Sequence, residues 1–232
     1  MVEVTASFLG DCLPRRDRNG HKGTYGRVHI LAGCVGFTGA PVFASQAAVR
    51  TGSGLVFLSV PEEIWPVVAV KSAEAMPSPV PPFPVLLEKM NAADGVLIGP
   101  GLGRSRKTDV RTLRLVEQVR APLVLDADGL NALAEHMEVL GARHGRLTVL
   151  TPHDGEFLRL TGGEAIGPDR EGAAAAFARR HGCVLVLKGH RTITAFPDGE
   201  TFVNTTGNPG MAKGGSGDVL AGMILSLLGQ GI

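Results

Sequence analysis

Apolar residues along this chain gather in short blocks, separated by glycine, proline and polar punctuation. "RVHILAG" (27–33) is a short β-rich apolar run ending in glycine, and "GLVFLSV" (54–60) and residues 95–98, 122–125, 147–150 and 183–187 are apolar almost throughout and do not alternate. Strands buried on both faces read this way, as in a parallel sheet covered by helices. Segments with helical spacing lie between them. "APVFASQAAVRTG" (40–52) carries Val42, Phe43, Ala47 and Val49, and "KTDVRTLRLVEQV" (107–119) is amphipathic. "DREGAAAAFARRHG" (169–182) reads as a helix, and "GGSGDVLAGMILSLLGQG" (214–231) as a glycine turn opening an apolar helix. "EEIWPVVAV" (62–70) is a short helix or turn. "PLVLDADGLNAL" (122–133) and "LTVLTPHDGEFLRL" (147–160) each pass from strand to helix. "TITAFPDGETFVN" (192–204) reads as a hairpin around Pro197-Asp198-Gly199. In "PSPVPPFP" (77–84) five of eight residues are proline, so an irregular crossing segment is expected there. Strand–helix alternation predicts an α/β fold. We expect one domain over residues 1–232, a three-layer α/β/α sandwich with a mostly parallel central sheet and a late hairpin.

Composition narrows the function. Apolar residues are 44 % and charged residues 19 %, which is globular. A net charge of +1, with nine Phe, one Trp and one Tyr, argues against a nucleic-acid surface. Cys12, Cys34 and Cys183 have no CxxC spacing, which suits reduced thiols in the cytoplasm. No secretory pattern opens the chain. The uncharged run Val28 to Val49 is long enough for a bilayer, but His29, Gly33, Gly36, Gly39 and Pro41 interrupt it. No membrane partner is expected. The 32 glycines are about twice the usual share and mark turns or places where backbone approaches a ligand.

Ligands of open parallel sheets bind beyond the carboxyl ends of the strands. Those ends carry Gly33 to Ala40, Gly99 to Gly103, Asp126, Asp128 and Asn131, then Thr151, His153, Asp154 and Glu156, then Lys188, Gly189 and Thr192. Beyond the hairpin stand Asn204, Asn208, Lys213 and Gly214 to Asp218. Gly214, Gly215 and Gly217 let backbone N–H groups converge at a helix start, which suits phosphate. Asp218 in that first turn is either a helix-start acid or a base for a hydroxyl attacking phosphorus. Lys188 is either a surface lysine or a point charge on a nucleotide phosphate. Asp128 can cap a helix. Glu156 either completes a capping box with His153 or Thr151, or holds Mg²⁺ through water. The seven histidines have no HExxH or i, i+4 pair, so zinc is not expected. No GxxxxGK[ST] occurs, and Leu220 stands where GxGxxG needs its last glycine.

Six motifs in order, "HKGTYGRVHILAG…GFTGAPVFASQAAVRTGSGLV", "VLIGPGLGRS", "PLVLDADGLNAL", "LTPHDGEF", "VLVLKGHRTI" and "GNPGMAKGGSGDVLAG", resemble the NAD(P)H-hydrate dehydratase family. This is the carboxyl-terminal half of the two-function NAD(P)HX repair enzymes, and its fold is ribokinase-like. The resemblance runs from His21 to Gly231. It implies a lyase acting in metabolite repair. Hydrated NADH or NADPH would be phosphorylated on its ring hydroxyl by ADP, or by ATP in eukaryotic members, and phosphate would then leave. It implies substrate contacts at Ala40, Gly103, His153 and Asp218, with Asp218 the base. Nucleotide contacts would fall on Lys188, Gly189, His190, Arg191, Thr192, Gly214, Gly215, Ser216 and Gly217. Mg²⁺ is the implied cofactor, and a homo-oligomer, a tetramer, the implied assembly. A small-molecule kinase acting on a vitamin alcohol shares the GSGD logic and is the competing reading. The chain departs from the family pattern at Asp154, where proline is usual. It also ends at Ile232, where family members continue with further helices, and we expect no epimerase half before residue 21.

Overall fold

A computed structural model describes residues 1–13 and 15–232. The strands are β1 (Val2–Glu3), β2 (Arg27–Leu31), β3 (Leu55–Val60), β4 (Met76–Pro79), β5 (Gly95–Ile98), β6 (Leu123–Leu125), β7 (Thr148–Leu150), β8 (Val184–Leu187), β9 (Ile193–Ala195) and β10 (Thr201–Val203). The helices are α1 (Ala6–Cys12), α2 (Gly39–Thr51), α3 (Trp65–Lys71), α4 (Phe83–Asn91), α5 (Arg106–Gln118), α6 (Asp128–Leu133), α7 (Asp154–Leu160), α8 (Arg170–His181) and α9 (Ser216–Gly229).

All ten strands form one sheet, ordered β1-β10-β9-β8-β7-β6-β5-β2-β3-β4. From β4 to β8 every pairing is parallel, and β9 is antiparallel to both neighbours. The expected α/β sandwich and the hairpin are both present. Strands such as β5, with Val96, Leu97 and Ile98 fully buried, feed one core on each face. One core joins Leu86, Leu115, Leu130, Phe157 and Phe177 from α4 to α8. The other joins Val42 of α2, Val68 of α3 and Leu225 of α9 to the opposite side of the strands. α2 and α9 touch where a Cβ on Gly222 would overlap the Ala44 carbonyl, so only glycine permits that approach.

The proline-rich segment differs from expectation. Met76–Pro79 pairs with β3 as the edge strand β4, a place where a missing N–H costs no ladder bond. Pro82 then precedes α4, whose Pro84 stands in a first turn that needs no N–H. The prolines hid both elements, and β1 and α1 were too short to show a period.

His29 is a polar residue in an apolar layer, 3 % exposed, with Nε2 2.8 Å from Ser59 Oγ. Burial, aided by Lys89, lowers its pKa from 6.5 to about 4. Below pH 6.5 the unfolded chain therefore binds a proton that the folded chain refuses. The neutral histidine's contribution is complete above pH 6.5 and is lost as pH falls towards 4, on the order of 3 kcal/mol over the window. Denaturant melts at pH 7 and 4.5 should show wild type losing more stability than His29→Gln. Equal losses would remove His29 as the cause.

Candidate functional site

The carboxyl ends of β2, β5, β6, β7 and β8 lie side by side along one edge of the sheet, and those of β6 and β8 face the start of α9. The loop after β2 is tied to the loop after β5 by the Gly33 N–H, which donates to the Pro100 carbonyl at 2.8 Å. A Cβ on Gly101 would lie 2.9 Å from the Ala40 Cβ, and one on Gly103 would lie 2.9 Å from Cys34 Sγ. These close approaches bring Ala40 and Gly103 into one corner. The Gly103 N–H donates to Asp128 Oδ2 at 2.8 Å. Asp128 does not cap its helix: α6 opens on Ala127, with no side-chain cap.

A second corner is built on charge. Asp126, 2 % exposed, follows β6. Its Oδ1 accepts from Thr151 Oγ1 at 2.7 Å and from Lys188 Nζ at 2.9 Å. Lys188 Nζ is also 3.7 Å from Glu156 Oε2. Lys188 is thus no free surface lysine. Glu156, 5 % exposed, accepts the His153 N–H at 2.8 Å, while His153 Nδ1 accepts the Gly155 and Glu156 N–H groups at 3.0 and 3.3 Å. The capping box is therefore real. The His153 side chain stays exposed. Asp154 pairs with Arg170 at 2.7 Å, which offsets the charge it brings in place of proline.

α9 opens on Gly215 at φ +90°, with no side chain capping its first N–H groups. Free donors at a helix start attract anions. Phe43 of α2 fills the space that a Cβ on Gly215 would need. A Cβ on Gly217 would lie 3.5 Å from Lys188 Nζ and 4.0 Å from Asp126 Oδ2, so the glycine turn faces the charged corner. Asp218, third in the helix, is half-buried. Burial raises its carboxyl pKa, Asp126 raises it further, and Lys188 opposes them.

Gly189, His190, Arg191 and Thr192 line a cavity of about 590 Å³ together with residues 204–209, Met211 and Ala212. Gly214 lies exposed at the turn, and Ser216 opens the helix. Sequence reading placed Asp126 in "PLVLDADGLNAL" and Asn204 and Asn208 beyond the hairpin, but assigned none of the three a specific role in the site. Among the described residues no group of three His, Cys, Asp or Glu side chains could hold a metal. Glu156 Oε2 is engaged by the His153 N–H of the capping box and lies 3.7 Å from Lys188 Nζ.

The family model for NAD(P)H-hydrate dehydratase matches residues 28–232. The bifunctional NAD(P)H-hydrate repair enzyme of Moorella thermoacetica is 46 % identical over 99 % of this chain and 45 % of its own length. The chain spans about half the length of such curated relatives. The crystal structure of the ADP/ATP-dependent NAD(P)H-hydrate dehydratase of Bacillus subtilis, co-crystallised with ATP/Mg²⁺, matches with TM-score 0.78 and 33 % identity, over 97 % of this chain and 79 % of that one. A ribokinase-like superfamily protein of Enterococcus faecalis matches with TM-score 0.86 and 28 % identity, over 99 % of this chain and 80 % of that one.

Lys188→Ala would leave Asp126 and Glu156 buried without their cation. Breaking such a pair costs several kcal/mol when fully buried, and less here because Lys188 is partly exposed. We expect a lower melting temperature in calorimetry, and an adenine-nucleotide affinity reduced about 10- to 100-fold by loss of a charge-assisted bond. Unchanged affinity would confine Lys188 to a structural role.

Proposed function

The chain belongs to the NAD(P)H-hydrate dehydratase family, and from that premise we propose that it restores NAD(P)H from hydrated NADH or NADPH at the expense of an adenine nucleotide. The observation that carries this reading is a half-buried carboxyl, Asp218, set beside the Lys188–Asp126 pair at an uncapped glycine helix start. Phosphate binding and proton removal then fall on neighbouring groups. On this reading the unit is one ribokinase-like domain over 1–232 and works in the cytoplasm.

The nucleotide occupies the cavity by Gly189 to Thr192, and its terminal phosphoryl group lies on the N–H groups of Gly214 to Gly217 and on Lys188. ADP is the expected donor, with ATP as the alternative. The hydrated ring is seated by Ala40, Gly103 and His153. Asp218 accepts the proton of the ring hydroxyl while its oxygen bonds to phosphorus, and the bond from phosphorus to the departing nucleotide breaks. General-base help of this kind is worth roughly 10²–10⁴ in rate. Phosphate then leaves with the ring C–O bond, a proton leaves the adjacent carbon, and the double bond returns. The helix-start donors stabilise charge on the transferred oxygens.

Mg²⁺ fits as an ion carried by the nucleotide, not as one held in a protein cage. Asp126 and Glu156 are the carboxylates that would meet it through water, and it would offset phosphate charge. Phe43, Val219 and Met223 leave apolar surface exposed on α2 and α9, which supports a homo-oligomer, a tetramer on the family's pattern. Light scattering at micromolar concentration should give a mass above one chain, and a stable monomer would remove that assembly.

The deciding assay mixes the protein with hydrated NADH and ADP or ATP. Absorbance recovery with phosphate release is expected, whereas accumulation of a phosphorylated product would turn the reading towards a kinase. Asp218→Asn should bind nucleotide as well as wild type and turn over at least about a hundredfold more slowly. The acid limb of the wild-type rate should lie above the ordinary aspartate value of 3.8, because only the deprotonated group accepts a proton. Near-normal turnover by Asp218→Asn would end this mechanism.

A further inference from the structure

We propose that Asp128, Asn131 and Arg159 form a positioning relay that sets the loop at residues 99–105, and Gly103 in particular, for the hydrated dinucleotide. The proposal rests on the reading above and assigns work to three residues that it leaves idle.

The relay is continuous. Arg159 Nε donates to Asn131 Oδ1 at 2.8 Å. Asn131 Nδ2 donates to Asp128 Oδ1 at 3.2 Å. Asp128 Oδ2 accepts the Gly103 N–H at 2.8 Å. The guanidinium fixes which end of the Asn131 amide faces Asp128, since its oxygen is taken. Asp128 therefore meets two donors, one on each oxygen. Bonds to an ionised acceptor are shorter and stronger than neutral ones.

The local backbone shows that this arrangement is no ordinary helix cap. Ala127 stands at φ +48°, ψ −116°, an unfavourable conformation for a residue with a Cβ. The Asp128 carboxylate instead crosses to a loop 25 residues away. Gly103 stands at φ +69°, where only glycine is unstrained, so its N–H direction depends on that turn being held. Cys34 packs against Gly103, and Ala40 and Phe37 pack against Gly101. Holding Gly103 therefore also holds the loop after β2. At the far end, Arg159 lies on α7, whose cap is His153. The relay joins Gly103 to α7 through side-chain bonds that involve neither Lys188 nor the Asp126 carboxylate.

This division determines the test. Asp128→Ala should raise KM for hydrated NADH about 10- to 100-fold, the range expected for losing a charge-assisted bond. KM for ADP should not change. Asn131→Ala and Arg159→Met, farther along the relay, should raise the same KM by smaller factors. These two sit at the accessible end of the relay and keep the test open if Asp128→Ala folds poorly. Amide hydrogen exchange supplies a readout independent of turnover: the Gly103 N–H should exchange faster in Asp128→Ala, with the core strands protected as in wild type. A KM for hydrated NADH that stays at the wild-type value in all three variants overturns the relay, as does a matching rise in KM for ADP. If wild type fails to dehydrate the substrate, the functional reading falls, and Gly103 exchange alone decides: faster exchange sustains the relay and unchanged exchange removes it.

Discussion

The polar edge of this sheet is organised around one buried carboxylate. Asp126 takes Thr151 from the end of β7 and Lys188 from the end of β8, and so ties three successive strand ends together. A charge withdrawn from water must be paired or it destabilises the fold, so this side chain has little freedom to move. The backbone around it is equally constrained. A Cβ on Gly99 would overlap the Asp126 carbonyl, and one on Gly129 would lie 2.6 Å from the Ile98 carbonyl. The ends of β5 and β6 approach to a distance that only glycine allows. α9 then docks over a platform whose parts cannot shift separately.

That platform bears on how an acid can sit where phosphate is proposed to bind. Asp126, Glu156 and Asp218 are three carboxyl groups, and Lys188 is the cation among them. The start of α9 adds roughly half a positive charge and unshared N–H groups. On the proposed reading phosphate would meet those donors, while Asp126 stands beside Asp218. Burial and Asp126 therefore make it a better proton acceptor than an exposed aspartate. The same grouping that holds the fold thus tunes the group proposed as base.

Parallel strands buried on both faces were legible because they lack polar alternation, and the glycine turns after them marked the edge. Proline concealed β4 and α4, since its usual disruptive effect is absent at a sheet edge and in a first helical turn. At the site, local signals were readable and distant ones were not. The capping box of His153 and Glu156 joins residues three apart and could be read in sequence. Lys188 and Asp126 lie 62 residues apart, and no spacing rule joins them. Asp128 resembled a helix cap because caps are a local pattern, yet its partner Gly103 belongs to another strand's loop.

Asp154 shows how such a fold absorbs a departure from its family's pattern. Proline in a first helical turn helps by fixing φ and by having no N–H to satisfy. Aspartate supplies neither advantage, but an acid there is stabilised by the helix dipole. The cap angle that proline would help to set is held by the reciprocal bonds of His153 and Glu156. The added charge is taken up by Arg170, which also donates to the Lys188 carbonyl at 3.3 Å. The substitution therefore adds a link between α7, α8 and the end of β8 in place of one rigid ring. It leaves the His153 ring exposed.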